Sequence, residues 1–296
     1  MFSVRRSVPY PQPRSRRLHG YLALARISNS PTVVSNVLAG AALAGIVRPD
    51  GTVALLAVAM VLFYTAGMFL NDLCDYESDS RKQPYRPLPS GLVSRAEAVV
   101  GILLLFGTGL LILAVLGSAP FVAGLVLLTL IALYDRWHKA NPLSPLLMAS
   151  TRFMVYIVSF LAFEPVPSAP LLVSAGALGL YIVGLTYVAK TEETPGFGRY
   201  WPAALLFLPA VLFLGRVPLL WSLFLLPIFV GWVAYSTSFI YSRANRSIGR
   251  AVGQLIAGVA LLDSLVLGAS GSGVGVALAL LAFAATLFFQ RYVRGT

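Results

Sequence analysis

Val53–Leu70 reads VALLAVAMVLFYTAGMFL, eighteen residues without a charge, and it runs directly into Asn71–Gly91, NDLCDYESDSRKQPYRPLPSG. The first half has the length to cross a bilayer as a helix, which takes about 17 to 25 apolar residues. The second half holds Asp72, Asp75, Glu77 and Asp79, four of the chain's eleven carboxylates, within eight positions. At about 100° per residue, Asp72, Asp75 and Asp79 fall within roughly 60° of arc on a helix. Asn71 borders the same face, and Glu77 points away. Like charges on one face repel unless a cation neutralises them, and carboxylates at a membrane border oppose insertion. Hard oxygen ligands in this pattern suit Mg2+, which binds through a few carboxylates together with substrate phosphates. Asp72, Asp75 and Asp79 are therefore the expected metal-binding centre, with Asn71 as a further ligand.

Outward from this stretch, apolar runs recur at about 21–46, 53–70, 97–116, 120–134, 143–163, 170–189, 201–215, 218–240, 251–268 and 273–290. The chain is 58% hydrophobic and only 11% charged, against roughly 25% charged residues in a soluble domain, and its mean hydropathy is +0.81. The expected fold is all-α: a polytopic membrane helical bundle of nine or ten transmembrane helices with a cytosolic polar cap. The count stays open because the seventh run is short and contains Pro202 and Pro209; 201–240 reads equally as one span plus a re-entrant piece.

Charge sets the expected orientation. Arg and Lys cluster before the first run and after the second, fourth, sixth, eighth and tenth, whereas the opposite turns hold only Arg48 and Arg216. By the positive-inside rule both termini and every basic loop are cytosolic, in a multi-pass protein of the cell (inner) membrane. The organisation is a basic cytosolic tail at 1–20, one integral membrane domain at 21–290 and a short basic tail at 291–296. The first twenty residues have no short apolar core ending in a cleavage site, so a removed signal peptide is not expected. The net charge of +11 reads as a topology and lipid-surface signal. No basic domain lies outside the membrane, so nucleic acid is not an expected partner. A single cysteine, Cys74, excludes an intrachain disulfide. No Cys/His metal spacing and no Walker or dinucleotide glycine motif occurs.

Pro84–Gly91 is a proline-stiffened turn that returns Arg81, Lys82 and Arg86 to the carboxylate face. Carboxylates beside such cations suit a metal–diphosphate site, with Lys82 and Arg86 on the phosphate oxygens. Asn71-Asp72-x-x-Asp75-x-x-x-Asp79 followed by Arg86-Pro-Leu-Pro-Ser-Gly91 resembles the first aspartate-rich motif of the UbiA superfamily of intramembrane prenyltransferases. Ala25–Gly40 is similar to that family's first helix. The resemblance implies a lipid-open helical bundle, Asp72, Asp75 and Asp79 as catalytic residues, Mg2+ as cofactor, an isoprenyl diphosphate and a prenyl acceptor as substrates, and an allylic cation that alkylates the acceptor. In such a site Phe63, Tyr64, Phe69, Tyr156, Phe160 and Tyr181 offer π faces to the cation, or pack as ordinary membrane aromatics.

The family's second motif, D-x-x-x-D at the cytosolic end of the sixth helix, is absent here. That region reads Tyr187-Val-Ala-Lys190-Thr-Glu192-Glu193. Either Glu192 and Glu193 supply a second metal ligand, or Lys190 acts on the diphosphate as a fixed charge. The family's tyrosine and lysine four residues apart are also altered: Lys139 lies five residues from Tyr134, and His138 takes the expected place. The resemblance still implies Lys139 near the diphosphate, while Tyr134, Asp135, His138, Tyr156 and Tyr187 fall to the acceptor or prenyl pocket. Asp135 or His138 is a possible proton acceptor. Intramembrane polar groups are functional candidates by default. Arg152 reaches the diphosphate or forms a bundle salt bridge; Asn36 bonds substrate or joins helices; Asp263 binds a polar acceptor or pairs with Gln254 or a bundle hydroxyl. Two other classes remain open: an ion-coupled small-molecule transporter, whose polar groups belong near the bilayer midplane, and a non-catalytic prenyl-lipid binder.

Overall fold

The computed structural model describes residues 14–138, 141–190, 201–241 and 246–293. In chain order the helices are α1 (Arg14–Leu24), α2 (Ser30–Leu43), α3 (Gly51–Cys74), α4 (Tyr76–Lys82), α5 (Arg95–Leu116), α6 (Ser118–Trp137), α7 (Ser144–Leu161), α8 (Ala169–Lys190), α9 (Trp201–Phe213), α10 (Leu219–Tyr241), α11 (Ile248–Ala269) and α12 (Gly273–Phe289). The described residues contain no strand. Seven helices, α3, α5, α6, α7, α8, α10 and α11, are long and apolar enough to cross a membrane, and α9 and α12 are shorter apolar helices. With thirteen residues, α9 reaches about 20 Å at 1.5 Å per residue, short of the roughly 30 Å of bilayer hydrocarbon. Its length leaves the choice between nine and ten spans where the prolines put it.

The first expected span, 21–46, is not continuous. Arg26 adopts a left-handed conformation (φ 43°) between α1 and a 3-10 turn at Ile27–Asn29. Helix α2 then restarts with Pro31 in its first turn, where the missing N–H is no loss. The carboxylate stretch, by contrast, stays almost helical across the α3–α4 junction. The Asp75 amide donates to Asn71 O at 2.9 Å, and the Asp79 amide donates to Asp75 O at 2.9 Å. The predicted face therefore survives: Asn71, Asp72, Asp75 and Asp79 are buried, and Glu77 is exposed.

Packing places α11 at the centre, against α2, α8, α10 and α12. Helix α7 lies across α2 so closely that a Cβ built on Gly40 would come within 2.8 Å of Tyr156 O. Helices α5 and α10 turn large apolar side chains outward, among them Leu103, Leu111, Leu220 and Phe224. An exposed leucine face needs no water-excluding partner when the surroundings are lipid, which matches two peripheral helices of a membrane bundle. The turn after α4 is pinned by Leu88 and Val93, buried against Leu24, Phe69 and Ala98. Ser94 and Glu97 then form a capping box that starts α5, and Arg17 of α1 pairs with that same Glu97.

Candidate active site

Helix ends meet at one pole of the bundle, and the polar residues gather there. The α3–α4 face is held by cations. Arg26 Nη2 donates to Asp72 Oδ1 at 3.1 Å and to Asn71 Oδ1 at 3.3 Å. Arg86, returned by the proline turn, donates through Nη1 to Asp79 Oδ2 at 2.7 Å and lies 3.8 Å from Asp72 Oδ1. His138 Nε2, just past α6, is 3.4 Å from Asp75 Oδ2. The bond to Asp75 holds the His138 imidazolium above its ordinary range. Asn71 Nδ2 reaches across to Asp135 Oδ1 on α6 at 3.0 Å. Lys82 is exposed at the end of α4.

Beneath this cap an apolar cavity opens between α2, α3, α6 and α7. Its walls include Phe63, Tyr64 and Leu127, with Tyr134, Asp135 and Arg152 also lining it. A second, more polar cleft, lined by Asp75, Asp135 and His138, shares Asp135 with the first. A third lies between α1 and the proline turn, with Arg26, Asp72 and Arg86 on its walls. Tyr134 stacks on the His138 ring with centroids 5.2 Å apart.

Arg152, Asn36 and Asp263 form one buried network. Arg152 Nη1 donates to Asn36 Oδ1 at 2.9 Å, Nη2 donates to Thr32 Oγ1 at 3.3 Å, and the guanidinium lies 5.6 Å from the Tyr64 ring centre. The Asn36 amide nitrogen donates to Asp263 Oδ2 at 2.8 Å, and Ser35 and Tyr156 hydroxyls donate to the same carboxylate. Of the roles left open for Asp263, the structure realises pairing with bundle hydroxyls and an amide, and Asn36 joins α2 to both α7 and α11. The Tyr156 hydroxyl is thereby spent on Asp263, and Tyr156 is not among the residues lining the apolar cavity. Phe63 and Tyr64 face that cavity, whereas the Tyr181 hydroxyl donates to Leu255 O at 2.8 Å.

Lys190 Nζ donates to Ser144 Oγ at 2.6 Å, and Tyr187 sets its ring edge on Trp201 with centroids 4.6 Å apart. Lys139, Glu192 and Glu193 lie outside the described residues. Arg26 is the residue that sequence reasoning passed over, although a lone arginine near the head of an apolar run carried the same signal as Arg152.

The donor set fits Mg2+ by its chemistry. Asp72, Asp75 and Asp79 are buried hard-oxygen donors on one face. Among the described residues no three His, Cys, Asp or Glu side chains form a ready metal cluster.

A helical membrane bundle with an acidic, cation-flanked cap over an apolar cavity defines a class of intramembrane lipid-handling proteins. The UbiA prenyltransferase family matches residues 33–247, and the chain belongs to that family. Among curated relatives, digeranylgeranylglyceryl phosphate synthase of Methanothermobacter thermautotrophicus is 34% identical over 123 residues, 41% of this chain and 42% of that protein. The enzyme of the same name from Ignicoccus hospitalis is 40% identical over 84 residues, 28% of this chain and 27% of that protein. The chain thus matches less than half the length of these relatives. A solved UbiA homologue from Archaeoglobus fulgidus bound to GPP and Mg2+ superposes with a TM-score of 0.64 at 14% identity, covering 87% of this chain and 99% of that one. A solved digeranylgeranylglyceryl phosphate synthase gives 0.61 at 20% identity, covering 88% and 99%. These two likenesses establish the fold.

Proposed function

We propose that this chain transfers a prenyl group from an isoprenyl diphosphate to the hydroxyl of a prenylated glyceryl phosphate, in a Mg2+-dependent reaction at the cytosolic face of the membrane. The observation that carries it is the juxtaposition of the Asp72–Asp75–Asp79 face, flanked by Arg26 and Arg86, with an apolar cavity that ends at Tyr134, Asp135 and Arg152. The acceptor class follows from the names of the curated relatives. Orientation follows from the Arg and Lys bias of the loops at this pole.

In this reading Asp72, Asp75 and Asp79, with Asn71, would hold the ion, which would stabilise negative charge on the departing diphosphate. Arg26 and Arg86 pair with Asp72 and Asp79, and their guanidinium groups would take phosphate oxygens of a bound diphosphate. The prenyl chain lies in the apolar cavity, where Phe63 and Tyr64 exclude water and present π faces to the carbon that becomes cationic. The bond from that carbon to oxygen breaks with its electron pair leaving on the diphosphate. The acceptor hydroxyl oxygen supplies the pair for the new C–O bond, and its proton passes to the departing diphosphate, which balances the charge. A transporter reading loses ground, because Asp263 is satisfied by Ser35, Asn36 and Tyr156 within the bundle.

The test is turnover of labelled geranylgeranyl diphosphate by the purified full chain with Mg2+ and geranylgeranylglyceryl phosphate. A prenyl ether product and diphosphate are expected, lost on chelation and reduced roughly 100-fold or more in Asp72→Asn. Diphosphate release that is no faster in wild type than in Asp72→Asn would sink the assignment.

A further inference from the structure

Asp135 is buried, at 5% exposure, and its two oxygens are treated differently. Oδ1 accepts from Asn71 Nδ2 at 3.0 Å. Oδ2 is buried and accepts no hydrogen bond among the described residues. A buried carboxylate oxygen left without a donor is costly, and such a group calls for a specific reason. Its location supplies one. Asp135 is the residue shared by the apolar cavity and the polar cleft. A donor that reaches Oδ2 therefore sits between the space suited to an apolar chain and the cleft that Asp75 lines.

The chemistry of that occupant is restricted. A carboxylate oxygen accepts hydrogen bonds, so whatever completes Oδ2 brings an O–H or N–H donor, while Arg136 and His138 on the same cleft offer positive charge to an anionic head group. A hydroxyl donor placed between an apolar chain and an anionic head meets the apolar cavity on one side and the polar cleft on the other. We propose that Asp135 Oδ2 is the subsite for the acceptor's hydroxyl, orienting its oxygen toward the prenyl donor. The inference rests on the prenyl-transfer reading for the identity of the acceptor, and it deepens that reading by assigning the atom that holds the reacting hydroxyl. Asn71 makes the subsite part of the motif: the amide that donates to Asp135 also accepts from Arg26 through Oδ1 at 3.3 Å. The Asp135 carboxylate is thus oriented from the α3 face on which the diphosphate would bind.

The experiment compares two probes on the purified full chain without prenyl donor: geranylgeranylglyceryl phosphate with its free hydroxyl, and the same molecule with that hydroxyl methylated. Calorimetric binding should favour the free hydroxyl by about 10- to 100-fold in wild type, the range for one hydrogen bond to a charged group. In Asp135→Asn the preference should collapse to within about threefold. There the Asn71 donor fixes the new amide with its NH2 at the Oδ2 position, and an NH2 group serves either oxygen equally well. In turnover, the same variant should raise KM for the acceptor and leave KM for the diphosphate unchanged. The wild-type comparison needs no variant and so stands even if Asp135→Asn folds poorly. Equal binding of the two probes to wild type, no binding of either, or a preference that persists in Asp135→Asn would overturn the subsite. So would a variant whose defect lies in Mg2+ dependence, which would make Asp135 a metal ligand. Absence of turnover in a wild type that still distinguishes the probes would instead strike the prenyl-transfer reading and leave the subsite.

Discussion

Arg152 and Asp263 are opposite charges buried one amide apart, with Asn36 between them taking a bond from one and giving a bond to the other. Neither touches the other directly. Removing one partner leaves the other charge in a low-dielectric interior without its counter-ion, which typically costs about 3–5 kcal/mol. We expect Arg152→Gln and Asp263→Asn each to lower the unfolding midpoint in detergent sharply. The double variant should recover part of the loss, with a coupling on the order of 1–3 kcal/mol. Simple additivity in a thermal-unfolding cycle would show that Asn36 insulates the charges rather than linking them. At this scale the sequence was partly legible. The acidic face was readable because the helical period sets it, and the structure buries those four residues together. Asp263's partners were not readable, because Ser35 and Tyr156 come from helices more than one hundred positions away along the chain. Arg26 carried a signal with two readings: an arginine near the start of an apolar run also reads as a snorkelling cation, and its bond to Asp72 at 3.1 Å depends on a left-handed break at φ 43° that has no sequence signature.

Helices α2 and α7 are held by backbone proximity, and that sets what each glycine tolerates. A Cβ on Gly40 would meet Ser159 Cβ at 2.7 Å and Tyr156 O at 2.8 Å. The second contact is with main chain, which has little freedom to yield. Gly107 on α5 has nothing within 4 Å of the same position. Gly40→Ala should therefore destabilise by about 1–3 kcal/mol through overpacking. Gly107→Ala should be neutral or stabilising by up to about 1 kcal/mol, the usual helix-propensity gain over glycine. Unfolding midpoints of the two variants in the same detergent would check this, and equal effects would mean that α2 and α7 can slide apart freely. Because Tyr156 also bonds Asp263, Gly40→Ala should weaken the Arg152 network as well. Element boundaries were legible to within a few residues for the long apolar helices, since their length and uniform hydropathy leave few alternatives. The division of the first span was not, because a left-handed arginine has no sequence signature of its own.

Across the whole molecule, the fold follows from hydropathy and the pole of the site from charge, and the two agree. Every polar contact of the acidic motif lies at the helix ends where the loops carry Arg and Lys. Cys74 gives a direct check, because it is the chain's single cysteine, is exposed, and stands beside Asp75 on the polar cleft. If this pole faces the cytosol, a membrane-impermeant maleimide should label the wild-type chain in inverted vesicles and leave it unlabelled in sealed right-side-out ones. Solubilisation should then expose the thiol in both preparations. Labelling from the outside alone would reverse the orientation and with it the supply of diphosphate from the cytosol. The same thiol also reads the site's occupancy. Cys74 and Asp75 line one cleft, so geranylgeranyl diphosphate together with Mg2+ should slow its modification in inverted vesicles. Either component alone should protect less, because the carboxylates need the ion to receive phosphate and the ion needs phosphate to complete its shell. Full protection by the diphosphate with chelator present would instead place the anion on Arg26 and Arg86 without a metal. A labelling rate unchanged under every condition would put the substrate elsewhere in the bundle.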